Sequence, residues 1–159
     1  MQDLNMEQKK TIHNFIKKKT SFKISEIFIT SFLKKGKKTK AELLWFKILK
    51  TLKEKKVKKT YSSIYKAVYK ISPLVDLRSL RRGRTVYQVP TPLRNKKRIA
   101  LGIKWLVEDS LKDEKKKFHT NLSSKILEAE KGLGRLVEKR KAWHKTARSK
   151  MLYLRYRWF

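Results

Sequence analysis

The sequence predicts a mainly α-helical fold of about six helices, with one β-hairpin between the third and fourth helices and basic terminal extensions. Apolar residues recur at helical spacing through most of the chain. In residues 74–90, by contrast, apolar and polar side chains alternate as in β-strands, on both sides of a glycine. The 159 residues, 40% of them hydrophobic, suffice for one modest core. We therefore expect a basic arm at residues 1–20 and a single helical domain at residues 21–159.

The strong positive charge indicates a polyanionic partner. Lys and Arg total 44 against 13 Asp and Glu, which gives a net charge of +31. Repulsion on this scale destabilises an isolated compact chain, and nucleic acid is the polyanion expected to neutralise it. A membrane surface would compete, but no apolar run approaches the roughly 20 residues of a spanning helix. The lysines are also spread over nearly every segment instead of one amphipathic helix, so no membrane partner is expected.

Residues that could hold a cofactor or a metal are scarce. The chain has no cysteine, which excludes disulfides and Cys-based zinc sites. His13, His119 and His144 are far apart in the sequence and lack ligand spacing, so each is expected at the surface or facing RNA. We expect no cofactor, no metal and no catalytic residue.

The amino-terminal arm, residues 1–20, is polar and rich in lysine, with Ile12, Phe15 and Ile16 as its apolar cluster. Two interpretations stay open for it. It is either a disordered solubilising tail or an arm that folds onto phosphates when RNA is bound. The segment has no arginine and contains two acids, so it does not resemble a cleaved transit peptide.

The first helix is predicted from Ser25, a plausible N-cap, through Phe28 and Phe32 to a stop at Gly36. Lysines on both sides of this glycine place four ammonium groups around a turn between two helices. Backbone N–H groups could also approach a phosphate there, although a glycine flanked by lysines is by itself a common helix end. The predicted RNA contacts in this loop are Lys34, Lys35, Lys37 and Lys38.

The second helix is predicted from Thr39 to about Lys55, with Leu44, Ile48 and Leu52 as its core stripe. Its other face is rich in lysine. That face is either solvated or turned towards RNA.

The third helix is predicted from Tyr61 to Ile71 and ends before Pro73. Tyr61, Tyr65 and Tyr69 share one of its faces. Tyrosines can stack on bases, but at helical spacing they more often pack at the rim of a core. The rim of the core is the interpretation we favour.

A cationic β-hairpin follows at about residues 74–90, with Gly83 in its turn. Pro90-Thr91-Pro92 is predicted to release the chain from the hairpin, because proline cannot continue a paired central strand. The predicted RNA contacts in the hairpin are Arg78, Arg81, Arg82 and Arg84.

The fourth helix begins with a cluster of basic residues. Their charges oppose the helix dipole, so a nearby phosphate explains them better than folding stability does. The predicted RNA contacts here are Arg94, Lys96, Lys97 and Arg98. The rest of this helix is apolar nearly all round, so it should be the central buried helix, with Gly102 allowing close packing.

Four acids end the fourth helix, and they form the main carboxylate cluster of the chain. They are Glu108, Asp109, Asp113 and Glu114. A metal-dependent nuclease could use such a group. No histidine lies at a suitable spacing, however, and lysines lie among the acids, so the catalytic interpretation is disfavoured.

A short fifth helix is predicted from Thr120 to Glu130, with Asn121 as a possible cap, and glycines break it afterwards. A last helix is predicted from about Val137 to Tyr153, with an interrupted apolar stripe. The stripe consists of Leu136, Trp143, Ala147, Met151 and Leu154.

The carboxyl terminus alternates arginines with aromatic rings. Arg155 and Arg157 lie among Tyr153, Tyr156, Trp158 and Phe159. Guanidinium groups bind phosphates and rings stack on unpaired bases, so this end either contacts single-stranded RNA or docks back on the core.

Several of these segments resemble the small ribosomal subunit protein seven family, the universal head protein. The matching segments are Gly36-Lys37-Lys38 with Ala41-Glu42, Arg78-Ser79, Gly83, Tyr87-Gln88-Val89-Pro90, Ala100-Leu101, Trp105-Leu106-Val107 and the bacterial-type ending Tyr156-Arg157-Trp158. The resemblance extends over about residues 22–158.

This resemblance implies a single rRNA-binding domain that binds the three-prime major domain of small-subunit rRNA and organises the head. It also implies other small-subunit ribosomal proteins as neighbours, and mRNA and exit-site tRNA near the ribbon. The chain departs from the family at the ribbon tip, where Arg84 follows Gly83 in place of a second glycine. A different turn conformation is therefore expected there.

Composition bears on the compartment. Lys, Ile, Phe and Tyr, which have A/T-rich codons, are plentiful, whereas Ala, Gly and Pro are scarce. Together with the resemblance this favours a mitochondrial ribosome and an organelle-encoded chain, with a plastid or the bacterial cytoplasm as alternatives.

The alternative function is a stand-alone architectural DNA-binding protein that uses its ribbon in a minor groove.

Overall fold

The computed structural model describes residues 24–55, 59–113 and 117–157. Within them the fold is mainly helical, with one antiparallel hairpin between the third and fourth helices, as predicted. The elements are α1 (24–32), α2 (Lys38–Glu54), α3 (Thr60–Ile71), β1 (Val75–Arg82), β2 (Thr85–Pro92), α4 (Asn95–Lys112), α5 (Phe118–Lys131), α6 (Arg135–Ser149) and a 3₁₀ helix (Met151–Tyr156). The predicted arm at residues 1–20 lies outside the described residues.

The core lies where the helices meet. Phe28 of α1 stacks on Trp45 of α2 with 4.7 Å between ring centroids, and Ile48 beside it is fully buried. α5 packs against α2, α3 and α4, and its Leu122 and Ile126 are also fully buried. The predicted stripe of α2 is therefore inward-facing, although Leu44 is only partly buried.

α4 is more amphipathic than predicted. Ala100, Lys104, Glu108 and Leu111 recur every three or four residues and are exposed, so one face of α4 meets solvent. Its other face packs against α3, α5 and α6. The prediction of a helix apolar nearly all round was therefore wrong at this stripe, although α4 packs against three other helices as a central helix should.

The close packing predicted at Gly102 is confirmed. A Cβ at this position would lie 2.5 Å from Ser72 Oγ and 3.2 Å from Ser72 Cα. α4 therefore presses directly on the end of α3, at the point where the chain enters the hairpin.

Two predicted helix caps were wrong. Ser25 lies within α1, preceded by another helical residue. Asn121 lies within α5, buried, where its side-chain amide donates a hydrogen bond of 2.8 Å to the carbonyl oxygen of Ser110. Its polar group therefore joins α5 to α4 and does not cap a helix end.

The hairpin is longer than predicted. Pro90 and Pro92 pair with Leu77 and Val75, so Pro90-Thr91-Pro92 does not release the chain. In a two-stranded ribbon every other residue points its N–H away from the partner strand, and prolines two residues apart can occupy such positions without losing a bond.

The turn of the hairpin is a two-residue connection between the paired residues Arg82 and Thr85. Gly83 has a φ of +62°, whereas Arg84 is not among the residues with positive φ. A glycine at the first central position alone is the pattern of a type II′ turn. The second glycine of the family is therefore not needed here.

α6 ends earlier than predicted, at Ser149, and the 3₁₀ helix follows. Met151 and Leu154 are 58% and 38% exposed, so they do not extend the inward stripe of α6. A 3₁₀ helix has three residues per turn, and the change of period moves these side chains off the α6 face.

Candidate nucleic-acid interface

The hairpin presents basic side chains on both faces. Arg78, Arg81, Arg82 and Arg84 are all exposed. Neighbouring residues of a strand point to opposite faces, so Arg81 and Arg82 lie on opposite sides of the tip. Arg81 Nε donates to the carbonyl oxygen of Gly83 over 3.3 Å, which holds one guanidinium against the turn.

The 3₁₀ helix packs against one face of this hairpin. The rings of Tyr153 and Tyr156 each lie 5.2 Å from the ring of Tyr87, and the Arg82 guanidinium lies 5.0 Å from the centre of the Tyr156 ring. Lys150 Nζ donates to Gln88 Oε1 over 2.7 Å. The carboxyl-terminal segment therefore docks on the ribbon and not on the helical core.

The remaining basic residues of the tail stay at the surface. Arg155 and Arg157 are exposed, and neither forms an ion pair within residues 24–55, 59–113 and 117–157. Trp158 and Phe159 lie outside these residues.

The loop between α1 and α2 has an unusual backbone. Lys35 and Gly36 have φ values of +52° and +72°, and Lys37 N–H donates to the carbonyl oxygen of Lys34 over 3.2 Å. The four predicted lysines, Lys34, Lys35, Lys37 and Lys38, are exposed. Lys38 lies 3.8 Å from Glu42 in a pair that is largely exposed, so it is still free to bind a phosphate.

The first turn of α4 divides the predicted group. Arg94, Lys96 and Lys97 are exposed, and no acid lies in this turn. Arg98 is only 9% exposed, and its guanidinium lies 4.3 Å from the centre of the Tyr69 ring. Arg98 is therefore not part of the exposed basic group.

The tyrosine face of α3 is more open than predicted. Tyr61, Tyr65 and Tyr69 are 47%, 45% and 54% exposed. The Tyr65 and Tyr69 rings stack with 6.4 Å between centroids. The prediction that these rings pack at the rim of the core was wrong for Tyr65 and Tyr69, since these two stack on each other and Tyr69 lies against Arg98.

Sequence reasoning missed the contacts that hold the base of the ribbon. Arg140 NH1 donates to the carbonyl oxygen of Lys70 over 2.6 Å, and Trp143 Nε1 donates to that of Val75 over 3.0 Å. His144 Nε2 accepts the N–H of Leu74 over 3.0 Å. The three side chains lie at helical spacing i, i+3 and i+4 on α6. That spacing was visible in the sequence, but polar residues facing a backbone junction are not a recognised motif.

His144 differs from the expected surface histidine. Burial lowers its pKa below the usual value, and the nearby charges of Arg140 and Arg98 lower the pKa further. The neutral ring is the form that can accept the Leu74 N–H at Nε2.

The carboxylates at the end of α4 are held in ion pairs. Asp109, whose side chain is 10% exposed, accepts hydrogen bonds from Lys125 over 2.8 Å and from Arg135. Lys125 also lies 2.6 Å from Asp113, and this hydrogen bond lowers the pKa of the Asp113 carboxyl. Among the described residues no cluster of three or more His, Asp or Glu could hold a metal ion. Asp109 and Asp113 thus join α4 to α5 and α6, and Glu114 lies outside the described residues.

The helices of the described segments are also too short or too polar to cross a membrane.

Comparisons with known proteins extend over most of the chain. Residues 2–151 match the family model described as ribosomal protein S7p/S5e. The chain is similar to the small ribosomal subunit protein uS7 of Nitrosococcus oceani, with 34% identity over 82% of this chain and 84% of the relative. It is similar to the uS7 of Shewanella sediminis at 35% identity over the same shares, and to that of Leptospira biflexa at 31% identity over 86% and 87%.

Proposed function

The chain belongs to the ribosomal protein S7p/S5e family, and from this membership we propose that it binds the three-prime major domain of small-subunit rRNA and organises the head of the subunit. Membership itself means a structural role in the small ribosomal subunit, with rRNA and other small-subunit proteins as partners. The rRNA domain, the contact residues and the position in the subunit belong to the proposal.

The observation that carries this proposal is the cationic ribbon. Its tip holds Arg81, Arg82 and Arg84 exposed, and none of them forms an ion pair within the part of the chain that the structure describes. Charges so close together repel one another unless a polyanion lies between them. Phosphates of rRNA would supply that charge.

The helix starts support the same partner. The residues that precede α2, α3, α4 and α5 are Lys37, Lys59, Arg94 and Lys117, and none makes a side-chain capping bond. No acid lies in the first turn of these helices. The positive helix dipole at each start favours an anion. We infer that the loop lysines Lys34, Lys35, Lys37 and Lys38, together with Arg94, Lys96 and Lys97, bind rRNA phosphates.

The ribbon is the part proposed to lie beside mRNA and exit-site tRNA. It is a two-stranded element, and residues 81–86 at its tip are exposed. Arg78, Arg81, Arg82 and Arg84 would bind the backbone there. Arg155 and Arg157, exposed in the tail segment that packs on Tyr87 of the ribbon, would extend this contact.

We propose the compartment from composition and from family membership. The abundance of residues with A/T-rich codons supports a mitochondrial ribosome with an organelle-encoded chain, although the relatives compared above are bacterial. The genome that encodes the chain decides between this compartment, a plastid and the bacterial cytoplasm.

Directed hydroxyl-radical probing tests the proposal. Because the chain has no cysteine, Val86→Cys places a single iron chelate near the ribbon tip, where the side chain is 63% exposed. Leu111→Cys, 50% exposed at the end of α4, is the matched control. In assembled subunits we expect Val86→Cys to cleave the three-prime major domain together with bound mRNA or tRNA, and Leu111→Cys to leave mRNA and tRNA intact. Cleavage from both positions confined to another rRNA domain would contradict the proposed placement.

A further inference from the structure

At the base of the ribbon, two arginines lie without a counter-charge. Arg98 of α4 is 9% exposed, and its Nε is buried without a hydrogen-bond partner in the described structure. Arg140 of α6 is partly buried, and its Nε is likewise buried and unpartnered there. Neither forms an ion pair with any described carboxylate. A guanidinium is always charged, so burying it unpaired is costly unless an anion joins it.

Both arginines converge on the same short stretch of chain. Arg98 lies over the ring of Tyr69, and Arg140 donates to the carbonyl oxygen of the next residue, Lys70. His144, which holds Leu74, is close enough to feel the charge of both arginines.

Arg98 also keeps donors free. Its guanidinium makes no hydrogen bond within the described residues, and its terminal nitrogens are not among the buried unsatisfied atoms. These nitrogens therefore keep hydrogen-bond donors for a ligand. Tyr69, which covers one face of the guanidinium, is itself 54% exposed.

From these observations we propose that Arg98 and Arg140 together bind one backbone phosphate of RNA, at the junction of α3, α4 and α6 beneath the ribbon. The site takes a single phosphodiester, because two guanidinium groups offer paired N–H donors that match the oxygens of one phosphate. It rests on the proposed function, and it adds a buried site to the exposed lysines and arginines. The phosphate neutralises the junction from which the ribbon starts, and so couples RNA binding to the seating of the ribbon.

His144 reports on this site without belonging to it. Hydrogen–deuterium exchange at the imidazole carbon, followed by mass spectrometry over a range of pH, gives the pKa of each of the three histidines in the full chain. The charged groups facing His144 are Arg140 of its own helix and Arg98 of α4. A phosphate between these arginines favours the imidazolium, so a bound transcript of the three-prime major domain should raise the pKa of His144.

The variants Arg98→Gln and Arg140→Gln should each abolish this rise, whereas Lys104→Gln, at an exposed position of α4, should keep it. Arg98→Gln should also weaken binding of the transcript by about three- to tenfold and lower the slope of log K against log salt by about one. If the transcript still raises the pKa of His144 in both arginine variants, the rise comes from the negative charge of the RNA as a whole, and the proposal is wrong.

Inorganic phosphate separates the two sources of the ligand. If inorganic phosphate raises the pKa of His144 and the bound transcript does not, the site serves a free anion and the proposal is wrong. Failure of the unaltered chain to bind the transcript would overturn the proposed function itself, and the phosphate site with it. If the unaltered chain binds the transcript but the pKa of His144 does not change, the phosphate site alone is wrong.

Discussion

At the residue scale, Asp109 shows how the few acids of this basic chain are used. Its carboxylate joins Lys125 of α5 and Arg135 of α6 to α4. Burial by itself lowers the pKa of Lys125, but the hydrogen bonds that its ammonium donates to Asp109 and Asp113 more than offset this and raise the pKa above its usual value. The ammonium charge therefore stabilises the fold below the unfolded pKa of lysine, and this contribution is lost as the pH rises through the folded pKa.

The substitution Asp109→Asn should lower the free energy of unfolding by about 2 to 3 kcal/mol, because Lys125, in a largely buried position, then keeps Asp113 as its one carboxylate partner beside the backbone carbonyl of residue 109. Chemical denaturation of the full chain, followed by circular dichroism, measures this difference. Glu108→Gln is the matched control, since its pair with Lys104 is exposed and should change stability by less than about 1 kcal/mol. Equal losses in the two variants would show that the Asp109 pairs add nothing beyond surface charge.

Single residues were also where sequence reasoning reached its limit. The basic residues of the ribbon and loop lie at the surface as expected, since charge and turn signals are local. The partners of Asn121 and His144 depend on how their helices, α5 and α6, pack against other elements, which no local pattern encodes. Arg98 and Arg94 look alike in the sequence, yet only the packing of α3 on α4 buries Arg98.

At the element scale, the ribbon and the 3₁₀ helix form a unit. Tyr87 contacts both Tyr153 and Tyr156, while its neighbour Val86 points to the other face and is exposed.

The helices were predictable because their apolar period persists over three or more turns. The end of α6 was not, because the 3₁₀ helix is held by the rings on the ribbon and not by its own apolar stripe. The prediction that the prolines at the end of β2 release the chain from the hairpin was also wrong. Whether proline breaks a strand depends on which side of that strand is paired, and the sequence does not show this.

Replacing Tyr87 by Ala should release the 3₁₀ helix from the ribbon. Aromatic pairs contribute about 0.5–1.5 kcal/mol each, so amide exchange within residues 151–157 should accelerate about tenfold. Hydrogen–deuterium exchange of the full chain measures this rate. Val86→Ala, on the opposite face of the same strand, should leave it unchanged. If Tyr87→Ala does not accelerate exchange, the docking of the tail on the ribbon does not hold in solution.

At the scale of the whole molecule, positive charge dominates. Lysines and arginines lie in nearly every segment and give a net charge of +31, while Asp109 and Asp113 lie where α4 meets α5 and α6. Phosphate neutralisation is therefore expected to carry most of the affinity for RNA, with the logarithm of the binding constant falling steeply as salt rises. Shape and unpaired loops would provide specificity, because side chains cannot read the deep major groove of A-form RNA.

Sedimentation of the full chain from a lysate of the cells that produce it, with and without RNase, shows whether the chain is part of the small ribosomal subunit. A structural component of the small subunit should co-migrate with small subunits at a magnesium concentration that keeps them intact, and RNase should release it. Persistent association with chromatin or nucleoid after RNase treatment would contradict the account and favour an architectural DNA-binding protein.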